Sequence, residues 1–271
     1  MPKLIEKPVS FRDNAVQGEE IKEFVGRIST GTEKISIGLL TFPEGWSEPP
    51  QTPEFDEYSV VLEGNLYVDT ESAGTVIVRA GRGILTPKGE RIQYRTPEPD
   101  GAFYLSVCLP AFSPELAHRE HENTEIRKTE KPSLKCGGKI VVCRRPTYLQ
   151  GTGLNSKMVE EFFGVLNSNS TELSIAKVVS QERYMEDFHR VDYDKYYFVL
   201  KGELQVIDEE SGLTFHVGPT QGILVHRGES TRYGSPKLGG SEYIVVCVPP
   251  RNLDFDSREI LTDIDKLHLT E

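Results

Sequence analysis

Apolar residues along this chain come in short runs, each cut off by glycine, proline or aspartate. Ile35 to Phe42 is largely apolar and stops at Pro43. Glu57 to Val68 is rich in Tyr, Val and Leu, with Gly64 inside it as the mark of a tight turn between two strands. Thr75 to Arg79, Gly83 to Thr86, Ile92 to Thr96 and Ala102 to Leu109 follow at similar spacing. Runs of this length bounded by turn residues predict strands of an all-β sandwich or barrel. Helical signal is sparse. Ser113-Pro114-Glu115 supplies a cap, a proline at the first helical position and an early acid, which predicts one turn of helix. Apolar residues at Ile260, Leu261, Ile264 and Leu267 predict a C-terminal helix over Ser257–His268.

The pattern occurs twice. At an offset of 138, Glu23-Phe24-Val25-Gly26 falls on Glu161-Phe162-Phe163-Gly164, and Asp56 to Gly64 falls on Asp194 to Gly202. After one inserted residue the offset is 139, and Gly83-Ile84-Leu85 meets Gly222-Ile223-Leu224, while Val107 to Pro110 meets Val246 to Pro249. A repeat of this length is a duplicated domain. The expected organisation is an N-terminal barrel over 1–120, a charged linker over 121–137 and a C-terminal barrel with its tail over 138–271. At 271 residues, each half is long enough for its own core.

The formal charge of −11 repels phosphate backbones and anionic membranes, so neither nucleic acid nor membrane is an expected partner. There is no apolar run of membrane-spanning length and no apolar signal segment at Met1 to Lys7, so a cytoplasmic location is expected. Cys108 and Cys247 are repeat mates in apolar runs and read as buried hydrophobes. Cys136 and Cys143 lack the second ligand pair of a zinc site and read as free thiols.

The spacing of turns and strands resembles the cupin barrel, and the chain resembles a bicupin. Cupins carry a first motif of Gly, five residues, His-x-His, three or four residues, Glu, six residues and Gly. Their second motif is Gly, five residues, Pro-x-Gly, two residues, His, three residues and Asn. The first copy keeps the frame as Gly45, Gln51, Pro53, Glu57 and Gly64, then Gly81, Pro87, Gly89, Ile92 and Thr96. The second keeps it as His189, Val191, Lys195 and Gly202, then His226, Gly228, Thr231 and Ser235. The resemblance implies two tandem cupin-type barrels of the double-stranded β-helix, or jelly-roll, kind. It also implies that the two copies pair within one chain, with a homodimer left open.

A cupin metal site takes three imidazoles and a carboxylate. Gln51, Pro53, Glu57 and Ile92 hold those positions in copy one, and His189, Val191, Lys195 and Thr231 in copy two. Neither set offers three usual ligands, so no metal and no cofactor are expected. Side chains alternate along a strand, so if Glu57 faces inward, Ser59, Val61 and Glu63 share its face, and if Ile92 faces inward, so do Tyr94 and Thr96. The matching inward set of copy two is His189, Lys195, Tyr197, Thr231 and Tyr233.

Some cupins similar to sugar epimerases use a His base and a Tyr acid without metal. The resemblance then implies His189 and Tyr233 as that pair, with Lys195 holding an anionic group. Gln51, Glu57, Tyr94, Tyr197, Thr231 and His226 are candidate ligand contacts, His226 through its place at the barrel mouth. The alternative for His189 is a half-exposed histidine at a strand start, and for Glu57 a solvated carboxylate in an acidic stretch with Glu48, Glu54 and Asp56. Three functions stay open. The first is a metal-independent isomerase, epimerase, cyclase or lyase on a small polar metabolite, working in the C-terminal barrel. The others are a non-catalytic binding or structural bicupin, and a metalloenzyme with relocated ligands. An open pocket in copy two separates the first from a filled barrel.

Overall fold

The computed structural model of the chain describes residues 1–11, 18–120, 139–151, 156–251 and 259–261. Almost every predicted run is a strand, and every pairing between strands is antiparallel. The predicted turn of helix is Pro114–Ala117, capped by the Ser113 hydroxyl, which accepts from the Leu116 amide. The predicted C-terminal helix is corrected in part. Glu259–Leu261 is a strand paired with Thr147–Gly151, and the rest of that stretch lies outside the described residues, as does the expected linker.

The described chain forms two units, one of Pro8–Arg144 and one of Met1–Lys7 with Arg145–Glu271. In the first, Asp56–Thr70 is the spine. Its first half lies between Ala102–Leu109 and Arg82–Thr86, and its second half between Gly74–Arg79 and Ile92–Thr96. Gly64, read from sequence as a tight turn between two strands, is instead a point inside one continuous strand. It sits at φ 72°, and a Cβ there would lie 2.1 Å from the Gly101 carbonyl oxygen, so only glycine lets the strand pass from one sheet to the other. Ser36–Phe42 extends the first sheet on the far side of Ala102–Leu109. The second unit repeats this arrangement with Asp194–Gly202 between Ser241–Val248 and Gly222–Val225. Gly202 has the same φ of 72° and meets the Gly240 carbonyl in the same way.

Each unit completes its sheet with a strand from outside its sequence repeat. Lys3–Ile5 pairs with Gly222–Val225, Lys3 opposite Leu224. Val141–Cys143 pairs with Arg82–Thr86, Val141 opposite Leu85. Val141 is the mate of Lys3 and Leu85 the mate of Leu224, so the two pairings obey one register.

The interiors differ. The first barrel's core is aliphatic at Val61, Leu66, Val68, Val78, Ile84 and Ile92, with Tyr94 and Tyr104 beside them. The second barrel's core includes Tyr197, Tyr233 and Tyr243 packed on one another. Among the described residues, no helix is long and apolar enough to cross a membrane.

Candidate functional site

The first barrel encloses a cavity of about 600 Å³. Its wall is built from positions on Glu20–Val25, Ser36–Phe42, Asp56–Thr70, Ile92–Thr96 and Ala102–Leu109 and on the segment after Ser36–Phe42. Glu57 begins the spine strand and is 7% exposed. Opposite it, Ser106 donates to Glu57 Oε1 at 2.6 Å. Tyr94 also hydrogen-bonds the Glu57 carboxyl, and its hydroxyl lies 3.0 Å from Thr86 Oγ1. Glu48 enters from the loop, 8% exposed. Gln51 Nε2 donates to Glu48 Oε1 at 2.7 Å, and Arg119 Nη2 donates to Glu48 Oε2 at 3.3 Å. Gln51 Oε1 is buried and has no hydrogen-bond partner. Trp46 stacks on Phe42, ring centroids 3.6 Å apart, and gives the cavity an aromatic side.

Burial dominates the electrostatics. It pushes the Glu48 carboxyl up to about 8, helped by the Glu57 charge and opposed by Arg119 and the hydrogen bond from Gln51. Glu57 is raised by the same burial, held back by its bonds from Ser106 and Tyr94 and by Arg119. Glu48 thus holds its proton toward neutral pH and Glu57 beside it is shifted in the same direction, the condition for acid–base work there. The sequence reading of a solvated acidic stretch is corrected at Glu48 and Glu57, while Glu54 stays at the surface with His118.

In the second barrel His189, Lys195 and Tyr233 do come together. Lys195 Nζ is 3.0 Å from His189 Nε2 and 5.3 Å from the Tyr233 ring centroid, and the His189 and Tyr233 rings are 5.8 Å apart. The His189 Nδ1–H points to the Asp187 carbonyl at 3.1 Å, so Nε2 carries the lone pair and receives the ammonium. Lys157 donates to the Tyr233 hydroxyl at 3.0 Å and pairs with Glu186. Burial alone would raise Glu186, but the ammonium groups of Lys157 and Lys195, with hydrogen bonds from Lys157 and Tyr184, hold it at about 2. Tyr197, 2% exposed, packs against Tyr233 at 5.3 Å between ring centroids. Its repeat mate in the first barrel is Ser59. Thr231 is buried opposite His189 in the strand register. His226 stands apart, its side chain 53% exposed and facing Asp194 at 3.7 Å.

A family model described as ethanolamine utilisation protein EutQ matches residues 23–113. Endoribonuclease YbeY of Myxococcus xanthus (strain DK1622) is 43% identical over 111 residues, 41% of this chain and 37% of that protein. The chain thus spans little more than a third of that curated relative's length. Among solved structures, a tryptophan-to-tyrosine variant of Bacillus subtilis oxalate decarboxylase aligns at a TM-score of 0.68 and 12% identity, covering 99% of this chain and 81% of that one. Lactobacillus farciminis oxalate decarboxylase, as its formate complex, gives 0.68 and 12%, covering 100% and 94%. The chain has the two-barrel bicupin fold. At these identities the likeness to the decarboxylases speaks for the fold.

The side chains of this chain do not suit a metal at the positions where the cupin resemblance would place its ligands. In the first barrel Pro53 has no donor atom, Ile92 is 1% exposed and apolar, and the Gln51 amide nitrogen is turned to Glu48. In the second, the Lys195 ammonium holds the lone pair of His189. Among the described residues, no three His, Cys, Asp or Glu side chains converge as a cation site. The sequence reading missed Glu48 and Arg119 of the first barrel and Lys157 and Glu186 of the second. Glu48 and Glu186 are repeat mates at the offset of 138, a signal that was present but unread.

Proposed function

We propose that this bicupin binds a small polar metabolite in its first barrel, and that the chemistry open to that site is proton transfer without a metal. Glu57 gives or takes the proton, the step shared by isomerases, epimerases, cyclases and lyases. The observation that carries this reading is the cavity of about 600 Å³ with Glu48 and Glu57 on its wall. That size lies within the roughly 300–1,000 Å³ of small-molecule sites. The raised carboxyls and Tyr94, bonded to Glu57, supply an acid and a relay within hydrogen-bond reach. Oxalate is a poor candidate despite the likeness to decarboxylases, since the wall carries several glutamates against Arg119.

A second reading uses the other barrel, with His189 as base, Tyr233 as acid and Lys195 for an anion. Their convergence favours it. The tyrosines and Lys157 that pack there speak against it, as does the ammonium already on the base. A third reading is binding without catalysis.

A metabolite-library thermal-shift screen, followed by turnover assays on the hits, decides among them. In the first reading, Glu57→Gln lowers turnover by about a hundredfold or more, and His189→Ala leaves it unchanged. Loss of the shift in His189→Ala with Glu57→Gln unaffected moves the site to the second barrel. A hit that binds through Glu57 and is never converted leaves binding alone.

A further inference from the structure

The second barrel contains a buried lysine where the first barrel carries Glu19 on its cavity wall, and this bears on what the first barrel takes. The repeat aligns Glu48 with Glu186, Tyr94 with Tyr233 and Glu19 with Lys157. In the second barrel Lys157, only 5% exposed, sets its ammonium against the Glu186 carboxylate and the Tyr233 hydroxyl. The same ammonium lies 5.3 Å from the Tyr233 ring centroid. A glutamate and a tyrosine kept in both copies therefore hold a primary ammonium in one of them.

In the first copy the lysine is replaced by Glu19, itself on the cavity wall. Tyr94 donates toward Glu57 or Thr86 and so keeps a lone pair for an incoming N–H. Gln51 Oε1, on the same wall, is buried and lacks a donor. Trp46, Phe42 and Tyr104 give the same cavity an aromatic border.

We propose that the ligand of the first barrel carries a primary ammonium group, seated between Glu48 and Tyr94 as the Lys157 ammonium is seated between Glu186 and Tyr233. This rests on the reading of the first-barrel cavity as the ligand site. An ammonium stabilises the ionised form of Glu48, so binding expels a proton from a carboxyl that burial otherwise keeps protonated. Gln51, Arg119, Glu57 and Tyr94 are the groups that face Glu48 in this exchange.

The test is calorimetric titration of the full chain with three isosteric probes, 4-amino-1-butanol, 1,4-butanediol and 4-hydroxybutyrate. The amino alcohol binds about tenfold or more tightly than the diol, and the hydroxy acid binds weakest. Heats in buffers of different ionisation enthalpy show a proton released on amine binding, and affinity rises between about pH 6 and 8. Glu48→Gln weakens the amine by about tenfold or more. Glu19→Lys grafts the internal ammonium into the first barrel, keeps the fold and removes amine binding.

Diol or hydroxy acid binding as tight as the amine overturns the proposal. If that binding is lost in Glu57→Gln, the cavity survives as the ligand site and only the ammonium is lost. Amine binding untouched by Glu48→Gln, Glu19→Lys and Glu57→Gln alike removes the cavity reading as well. No heat from the amine at concentrations up to about 50 mM also overturns the proposal.

Discussion

One matched position sets a small buried side chain in one barrel against a large buried ring in the other. Ser59 and Tyr197 are repeat mates on the same inward face, both at most 2% exposed. The Ser59 and Tyr197 hydroxyls are both buried without a hydrogen-bond partner, and the Tyr197 ring packs on Tyr233 and Tyr243. Truncating a large buried ring leaves a cavity whose lining has lost its contacts. Tyr197→Ser is expected to destabilise the protein by about 3–5 kcal/mol in urea titrations. A loss below about 1 kcal/mol means that Tyr197 does not fill the barrel. Glu48 makes a second residue-scale prediction. Its folded-state pKa, raised to about 8 by burial, lies above its unfolded value. The stabilisation is complete below the unfolded value near 4.5 and is lost as pH rises toward 8, at about 1.4 kcal/mol per unit. Glu48→Gln should flatten that slope in melts taken across this range; an unchanged slope contradicts the assignment.

At the scale of elements, the strands and their breaks were readable because alternation and turn residues are local properties. Ile92–Thr96 and Ala102–Leu109 fall where the sequence puts them. Gly64 was readable as a special position but not as a passage between sheets, since the close Gly101 carbonyl is a distant neighbour in sequence. The terminal strands were not readable at all. Lys3–Ile5 lies far from Gly222–Val225 in sequence, yet it covers the edge of that strand. Deleting residues 1–7 should expose that edge and unbury Ile5, at a loss of about 2–4 kcal/mol. Hydrogen exchange should show the amides of Gly222–Val225 losing protection, while those of Arg82–Thr86 keep it. Equal protection before and after deletion is the contrary outcome.

At the scale of the whole molecule, duplication preserved the fold and reversed the interior charge. Glu19 and Glu57 of one barrel correspond to Lys157 and Lys195 of the other. The two units therefore respond to pH in opposite senses. Glu186 is held at about 2, below its unfolded value, so its contribution is present above the unfolded value and disappears as pH falls toward 2. Glu48 and Glu57 are raised, so theirs disappears as pH rises. The protection factor of the Val199 amide, with the intrinsic pH dependence of exchange divided out, should fall on acidification, and that of the Val61 amide on moving from about pH 5 to 8. A parallel fall of both protection factors in one direction would contradict the charge inversion.

The sequence by itself determined the duplication and the all-β class, because these follow from period, spacing and turn chemistry along a short stretch of chain. Tertiary structure alone decided that Glu48 is buried rather than solvated, that Arg119 reaches it, and that Lys157 closes on Tyr233 and Glu186. Those contacts join strands and loops far apart in the chain. Burial, which sets both the carboxyl pKa values and the free volume of each barrel, exists only once the sheets have curled around their interiors.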